Sequence, residues 1–270
     1  MRARAAVFCL HDIVPEDRLA EVEPTHRPYA LTPAEFRALL MVAHAAGLRT
    51  VTAGQIPTEL GQTFFCLTFD DGCASDYHEA FPALREVGMR ATFFVVPSLV
   101  GRPGYVGWPE LREMAAAGME IGSHSLTHPF VHELDEAGVR REFGESKRLL
   151  EDRLGAAVRS ASLPRGWEPP DFERIIEDLG YRVFCTSRVG WWHPGGRALA
   201  MPRIGVRRGM EPEEFTYSLL TRSQRVSHES LRLRDAAWET FVEKVIGGEL
   251  DAVGQYFAFF RKEIMQRQRT

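Results

Sequence analysis

Two short runs in this chain hold the residue types that hydrolytic chemistry needs. Leu67-Thr68-Phe69-Asp70-Asp71-Gly72 closes an apolar stretch with two adjacent carboxylates. Ser123-His124-Ser125-Leu126-Thr127-His128 sets two imidazoles at i and i+4. Neighbouring carboxylates repel, so a buried pair needs a cation or a proton to persist. Two histidines at this spacing share one face of a helical turn, as paired metal ligands do. One carboxylate and two imidazoles hold zinc while leaving positions open, the arrangement of a catalytic centre. Each run also has a plainer reading: the acids can cap a helix, and the histidines can be surface or capping residues. Both runs follow apolar strands, and in parallel α/β folds ligands bind at the C-terminal ends of strands. The two signals strengthen each other.

The elements that position these runs alternate between short apolar stretches and helical periods, which predicts βα units and a parallel sheet. Strands are expected at 5–10, 64–69, 91–96, 119–122, 158–163, 182–186 and 203–206, and a polar loop with prolines at 12–31. Thr32-Pro33-Ala34-Glu35 reads as a capping box with proline at the first helical position. Further helices are expected at 75–87, 108–117, 135–154 and 171–179, the middle two closed by Gly118 and Gly155. This is a distorted (β/α) barrel of about seven parallel strands. After Met210 the strand signals stop. Residues 211–270 read as a helical C-terminal extension packed on a catalytic barrel of 1–210, with Phe257, Phe259 and Phe260 as packing residues.

Composition narrows the class. At 270 residues the chain is long enough for a barrel with one large core. Its net charge of -4 argues against a general nucleic-acid partner. Cys9, Cys66, Cys73 and Cys185 form no CxxC pair, which suits free thiols in a reducing compartment. No apolar stretch reaches the roughly 20 residues of a spanning helix. The N-terminal apolar run is short and ends in His11-Asp12, unlike a signal sequence, so a cytoplasmic location is expected.

The motif pair resembles the first two motifs of the polysaccharide deacetylases, carbohydrate esterase family four. The neighbouring text is similar as well: ATFFVV after the first motif, Gly118-Met119-Glu120-Ile121-Gly122 before the second, and Glu145-Ser146-Lys147 with Leu149-Leu150-Glu151 in the helix that follows. The resemblance covers about residues 5–220. It implies that Asp70 is the catalytic base and that Asp71, His124 and His128 bind a divalent metal. Zinc suits two imidazoles and a carboxylate, with nickel, cobalt or iron as alternatives.

The chain departs from the family elsewhere. The third motif is ordinarily Arg-x-Pro-x-Gly; here it is Ser162-Leu163-Pro164-Arg165-Gly166, with serine where the arginine that steadies the base would stand. The resemblance puts Arg165 where a backbone N–H helps form the oxyanion hole. Arg203, in Met201-Pro202-Arg203-Ile204, is a candidate for the missing guanidinium, or the arginine of a structural salt bridge. The late motifs, including a Leu-x-His that carries the general acid, are absent. Leu10-His11-Asp12 resembles the Tyr-His element of biofilm poly-N-acetylglucosamine deacetylases, whose late motifs are permuted to the N-terminus. That similarity makes His11 the acid, against the alternative of a hydrogen-bonded loop residue. Trp191, Trp192 and His193 lie in a Gly/Pro loop and either stack on sugars or pack against the barrel.

The implied activity is metal-dependent removal of an N-acetyl group from a sugar, glycan or glycoconjugate. Two alternatives stay open. One is hydrolysis of another C–N amide or an O-acetyl ester. The other is a carbohydrate-binding homologue without catalysis, which the altered third motif favours and the intact Asp70 opposes.

Overall fold

The computed structural model describes residues 5–45, 49–58 and 64–210. Seven parallel strands close a barrel: β1 (Ala5–Leu10), β2 (Phe64–Phe69), β3 (Ala91–Val95), β4 (Glu120–Ser123), β5 (Ser160–Ser162), β6 (Val183–Val189) and β7 (Met201–Gly205). The ring runs β1-β7-β6-β5-β4-β3-β2 and returns to β1, with β1 and β2 in register from Ala5 opposite Phe64 to Leu10 opposite Phe69. A two-residue strand, Arg49–Thr50, lies beside β2, and Asp12–Ile13 pairs separately with Ala30–Leu31. The helices are α1 (Pro33–Ala45), α2 (Phe81–Glu86), α3 (Trp108–Ala116), α4 (Glu136–Leu154) and α5 (Phe172–Asp178). Among the described residues, no helix is long and apolar enough to cross a membrane. The expected C-terminal extension, 211–270 with its three phenylalanines, lies outside the described residues.

β1 and β2 are buried along their whole length because both of their faces are covered. Alternation along the strands then sorts the side chains. Ala5, Val7, Phe64, Cys66, Phe94, Val183, Cys185 and Met201 join one buried cluster that fills the N-terminal half of the barrel. On outer faces, Phe69 stacks on Phe93 at 4.8 Å and meets Phe36 edge-on at 5.7 Å. Phe143 of α4, Phe172 of α5 and Phe184 of β6 make a second aromatic knot. The C-terminal strand ends are left for polar residues.

Local chemistry explains the boundaries. Thr32 and Glu35 form the expected box: Glu35 N–H donates to Thr32 Oγ1, and Thr32 N–H donates to the Glu35 carboxylate. Asp135 caps α4 by accepting from Gly138 N–H, and Gly155 ends it in a left-handed conformation. The helix expected at 75–87 is instead a π turn, Asp76–Ala80, running into α2, with Phe81 N–H donating to Asp76 O. Pro82 is the cause: it has no N–H, and its ring would strike the carbonyl one α-turn back, so the wider turn relieves the clash. β6 runs beyond 186 to Val189, and a register shift separates Met201 from Arg203 on β7. Such bulges re-aim side chains beside functional sites.

Candidate metal centre and its surroundings

Asp71 follows β2, and His124 is the first residue past β4. His124 Nε2 and His128 Nε2 lie 3.5 and 3.3 Å from the same oxygen, Asp71 Oδ1. One ligand atom from each of the three lies within 4.8 Å of the others. The expected helical turn between the histidines is not there: residues 124–128 form an irregular loop. Ser125 and His128 take φ of 62° and 61°, and Asp71 takes 80°. Among the described residues five non-glycines have positive φ, and Arg165 makes a fourth at this end of the barrel. Backbone strain is concentrated where the chemistry would be. The histidines converge because the loop folds back, not because a helix spaces them.

A buried acid holds that loop. Glu142 of α4 accepts Leu126 N–H at 3.0 Å and Thr127 N–H at 2.9 Å on Oε2, and the Thr127 hydroxyl at 3.0 Å on Oε1. His128 N–H donates to Ser125 Oγ, which pins the second histidine.

The tautomer of His124 suits a metal. Ser162 Oγ donates its one proton to Asp70 Oδ1 at 3.1 Å. The same oxygen, 2.5 Å from His124 Nδ1, must then accept, as does Ser162 O at 3.2 Å. Nδ1 carries a hydrogen, and Nε2 faces Asp71. Burial and the adjacent His124 hold the His128 imidazole down to about 4. Two imidazoles and a carboxylate on one small volume fit a divalent cation.

Asp70 and Arg203 are both buried in the barrel interior. Arg203 Nη1 lies 2.8 Å from Asp70 Oδ1 and Nη2 lies 2.8 Å from Oδ2. The guanidinium also donates to Thr68 Oγ1 and to Thr186 O. Burial alone would raise the Asp70 carboxyl, but the guanidinium and the nearby His124 overcome it and hold it well below the usual carboxylate range. Oδ1 is occupied by Arg203 and Ser162. Oδ2 has only a weak further donor, the Cys9 thiol at 3.6 Å, and lies 3.9 Å from His124 Nε2. Oδ2 is the oxygen with room for a proton.

His11 follows β1 and joins Cys9 and Asp70 in a second group whose potential ligand atoms lie within 4.8 Å of one another. Its Nδ1 is buried without a hydrogen-bond partner. Burial lowers the His11 pKa, while Asp70 and Asp71 pull the other way. Arg165 sits in a left-handed bend, φ 57°, just past β5, and Gly166 follows at 85°. A Cβ at Gly166 would come 3.0 Å from Ser187 Oγ, so this bend needs glycine on both counts. The Arg165 side chain is exposed and lies over Phe130.

Trp192 belongs to the opposite end. Its backbone pairs with Ala5, the first residue of β1, and its ring is buried in the core cluster. Of the two readings of that loop, packing holds for Trp192. Glu142 and Ser162 are the site residues that the sequence reading did not assign a role. Glu142 carries no motif of its own; Ser162 was visible as the exchanged arginine, but its contacts were not.

Residues 59–184 match the family model described as polysaccharide deacetylase. YxkH of Bacillus subtilis (strain 168) is 27% identical over 187 residues, spanning 67% of this chain and 67% of YxkH. A chitooligosaccharide deacetylase of Bradyrhizobium sp. (strain ANU 289) is 35% identical over 145 residues, 42% of this chain and 63% of that protein, less than two thirds of its length. Among solved structures, IcaB from Ammonifex degensii aligns with a TM-score of 0.65 at 27% identity, covering 80% of this chain and 97% of IcaB. The Streptococcus pyogenes deacetylase PplD, solved with acetate, has the same fold, with a TM-score of 0.74 at 21% identity over 82% of this chain and all of that one.

Proposed function

We propose that this chain, a member of the polysaccharide deacetylase family through residues 59–184, is a metal-dependent hydrolase that removes the N-acetyl group from an N-acetylated sugar, glycan or glycoconjugate. The observation that carries this reading is the position of Asp70. Its Oδ2 lies 3.9 Å from His124 Nε2, beside the Asp71–His124–His128 trio, and Arg203 holds both of its oxygens. A binding protein has no use for an ionised, oriented carboxylate at that point. The chitooligosaccharide deacetylase relative supports an N-acetylated sugar as substrate.

Asp71, His124 and His128 would hold the metal. A divalent cation there supplies Lewis acidity, polarising the acetyl carbonyl and acidifying a water. Asp70 accepts the proton of the attacking water at Oδ2. Arg203 keeps the carboxylate ionised and aimed, replacing the arginine that Ser162 displaced. A proton on so acidic a carboxyl is weakly held, and His11 is its neighbour. His11 then protonates the departing nitrogen, as its place at the end of β1 beside Asp70 supports. The backbone N–H of Arg165, in the left-handed bend just past β5, is the donor assigned to the developing oxyanion. The products are acetate and a free amine.

The test is acetate release from a panel of N-acetylated sugars and O-acetyl esters, with and without a chelator. Release from N-acetylated sugars, lost on chelation and restored by zinc, is expected. Cleavage of the esters alone would contradict the substrate assignment.

A further inference from the structure

Among the described residues, the possible metal ligands at the C-terminal end of the barrel fall into two groups of three, and the adjacent carboxylates Asp70 and Asp71 divide between them. Asp71 joins His124 and His128, so that group offers only nitrogen and oxygen. Asp70 joins Cys9 and His11, with one ligand atom from each within 4.8 Å of the others. A sulfur sets the second group apart.

Strand alternation puts that sulfur there. Ala5 and Val7 of β1 and Phe64 and Cys66 of β2 belong to the cluster inside the barrel. Cys9 and His11 continue the first inward row, Thr68 and Asp70 the second. Cys9 is the register partner of Thr68, and Asp70 N–H donates to Leu10 O, which sets Asp70 level with His11. The Cys9 thiol donates to Asp70 Oδ2, 3.6 Å away. His11 brings a buried Nδ1 with no hydrogen-bond partner. Tyr29 packs on its ring with centroids 5.3 Å apart, which restricts its turning.

We propose that Cys9, His11 and Asp70 form a second metal site, which takes a thiophilic dication such as zinc or cadmium and switches the activity off. Thiolate, imidazole and carboxylate are all zinc ligands, and three of them leave one position for water. The sulfur selects soft cations over magnesium or calcium. Binding exchanges a proton for the metal: the Cys9 S–H bond breaks, the proton leaves to solvent and the sulfur electron pair bonds the cation, with no change of oxidation state. Burial pushes the Cys9 thiol up, so a cation with little affinity for sulfur leaves that proton in place. Arg203 stays beside Asp70 and opposes any cation, but thiolate and carboxylate together outweigh its single charge. The site therefore fills after the Asp71 site, at higher metal. Once filled, it holds Asp70 and His11, the two groups proposed to move protons. The inhibition rests on the deacetylase reading; the binding does not.

The experiment loads the full chain with one equivalent of zinc and titrates it with cadmium. It follows thiolate-to-cadmium charge-transfer absorption, both metals per chain, and acetate release from chitooligosaccharides. The unmodified protein takes one cadmium beside its zinc and gains the band. Its acetate release falls at least about 100-fold, the contribution typical of a positioned acid or base. Cys9→Ser, which keeps a hydroxyl beside Asp70, shows no band and holds its own starting rate as cadmium rises; Cys9→Ala does the same. Magnesium changes nothing in any of the three. No band in the unmodified protein, or the same band in the Cys9 variants, overturns the site. A band with undiminished or rising acetate release overturns the inhibition. If the zinc-loaded chain releases no acetate before cadmium is added, the deacetylase reading fails for these sugars, and the band alone decides the metal site.

Discussion

Arg203 on β7 and Asp70 at the end of β2 form a two-pronged ion pair inside the barrel, both N–O contacts at 2.8 Å. The pair joins strands that β1 separates. Ser162 stands where the family motif has arginine, and its hydroxyl shares Asp70 Oδ1 with Arg203 Nη1. Ser162 also links Asp70 to His124 through one hydroxyl, so the proposed base and the proposed metal ligand share an anchor.

Arg203→Lys offers one point charge in place of a planar fork and cannot hold both oxygens. Turnover is expected to fall on the order of 100-fold with metal content unchanged, since misaiming a catalytic group has about that cost. Arg203→Met should also lower the Tm, because it strands a buried carboxylate, at about 3–5 kcal/mol. Kinetics, metal analysis and thermal melts check both variants. Full activity in Arg203→Lys would return Arg203 to a structural salt bridge.

Glu142→Ala removes the acceptor of two backbone N–H groups in the 124–128 loop. Metal affinity is expected to weaken about 10–100-fold, as for other groups that orient ligands. Zinc titration against a competing chelator measures it. Glu142→Gln keeps one acceptor oxygen and should lose less than Glu142→Ala.

His11→Ala should leave metal content intact and lower turnover at least about 100-fold, the contribution typical of a positioned acid. The effect should shrink for substrates with a better leaving group, such as an N-acetylated aromatic amine, which needs no proton. Equal losses on both substrates would make His11 a packing residue against Tyr29.

The chelated protein should lose stability as pH falls from about 6.5 to about 4. His128 is held down to about 4 when folded, so in that window the unfolded chain binds the extra proton, and unfolding is favoured as pH drops. Asp70, also depressed, acts in the same direction but lower, once pH falls below the ordinary carboxylate range. Denaturant melts across pH would show this, and His128→Gln should flatten the upper window.

The first two barrel strands were readable because they are nearly contiguous apolar runs: the expected 5–10 and 64–69 coincide with β1 and β2, whereas β4 and β5 are short and carry polar residues. The convergence of Asp71, His124 and His128 was readable because the three sit at strand ends inside two short motifs. The route by which the histidines meet was not: i,i+4 spacing suggests a helix, while the actual turn depends on Glu142, distant in sequence and without a motif. The Asp70–Arg203 contact, between residues 133 positions apart, could be guessed only from the missing motif arginine. The π turn at Asp76–Ala80 needed the consequence of Pro82, and Trp192 needed its pairing with Ala5 to reveal which end of the barrel it closes.

The most direct test pairs two variants in one measurement of bound metal and acetate release per chain. Asp70→Asn should bind metal at the unmodified stoichiometry and release acetate at least about 1,000-fold more slowly, while Asp71→Ala should lose both. Near-normal acetate release by Asp70→Asn, or full metal occupancy in Asp71→Ala, would contradict the account.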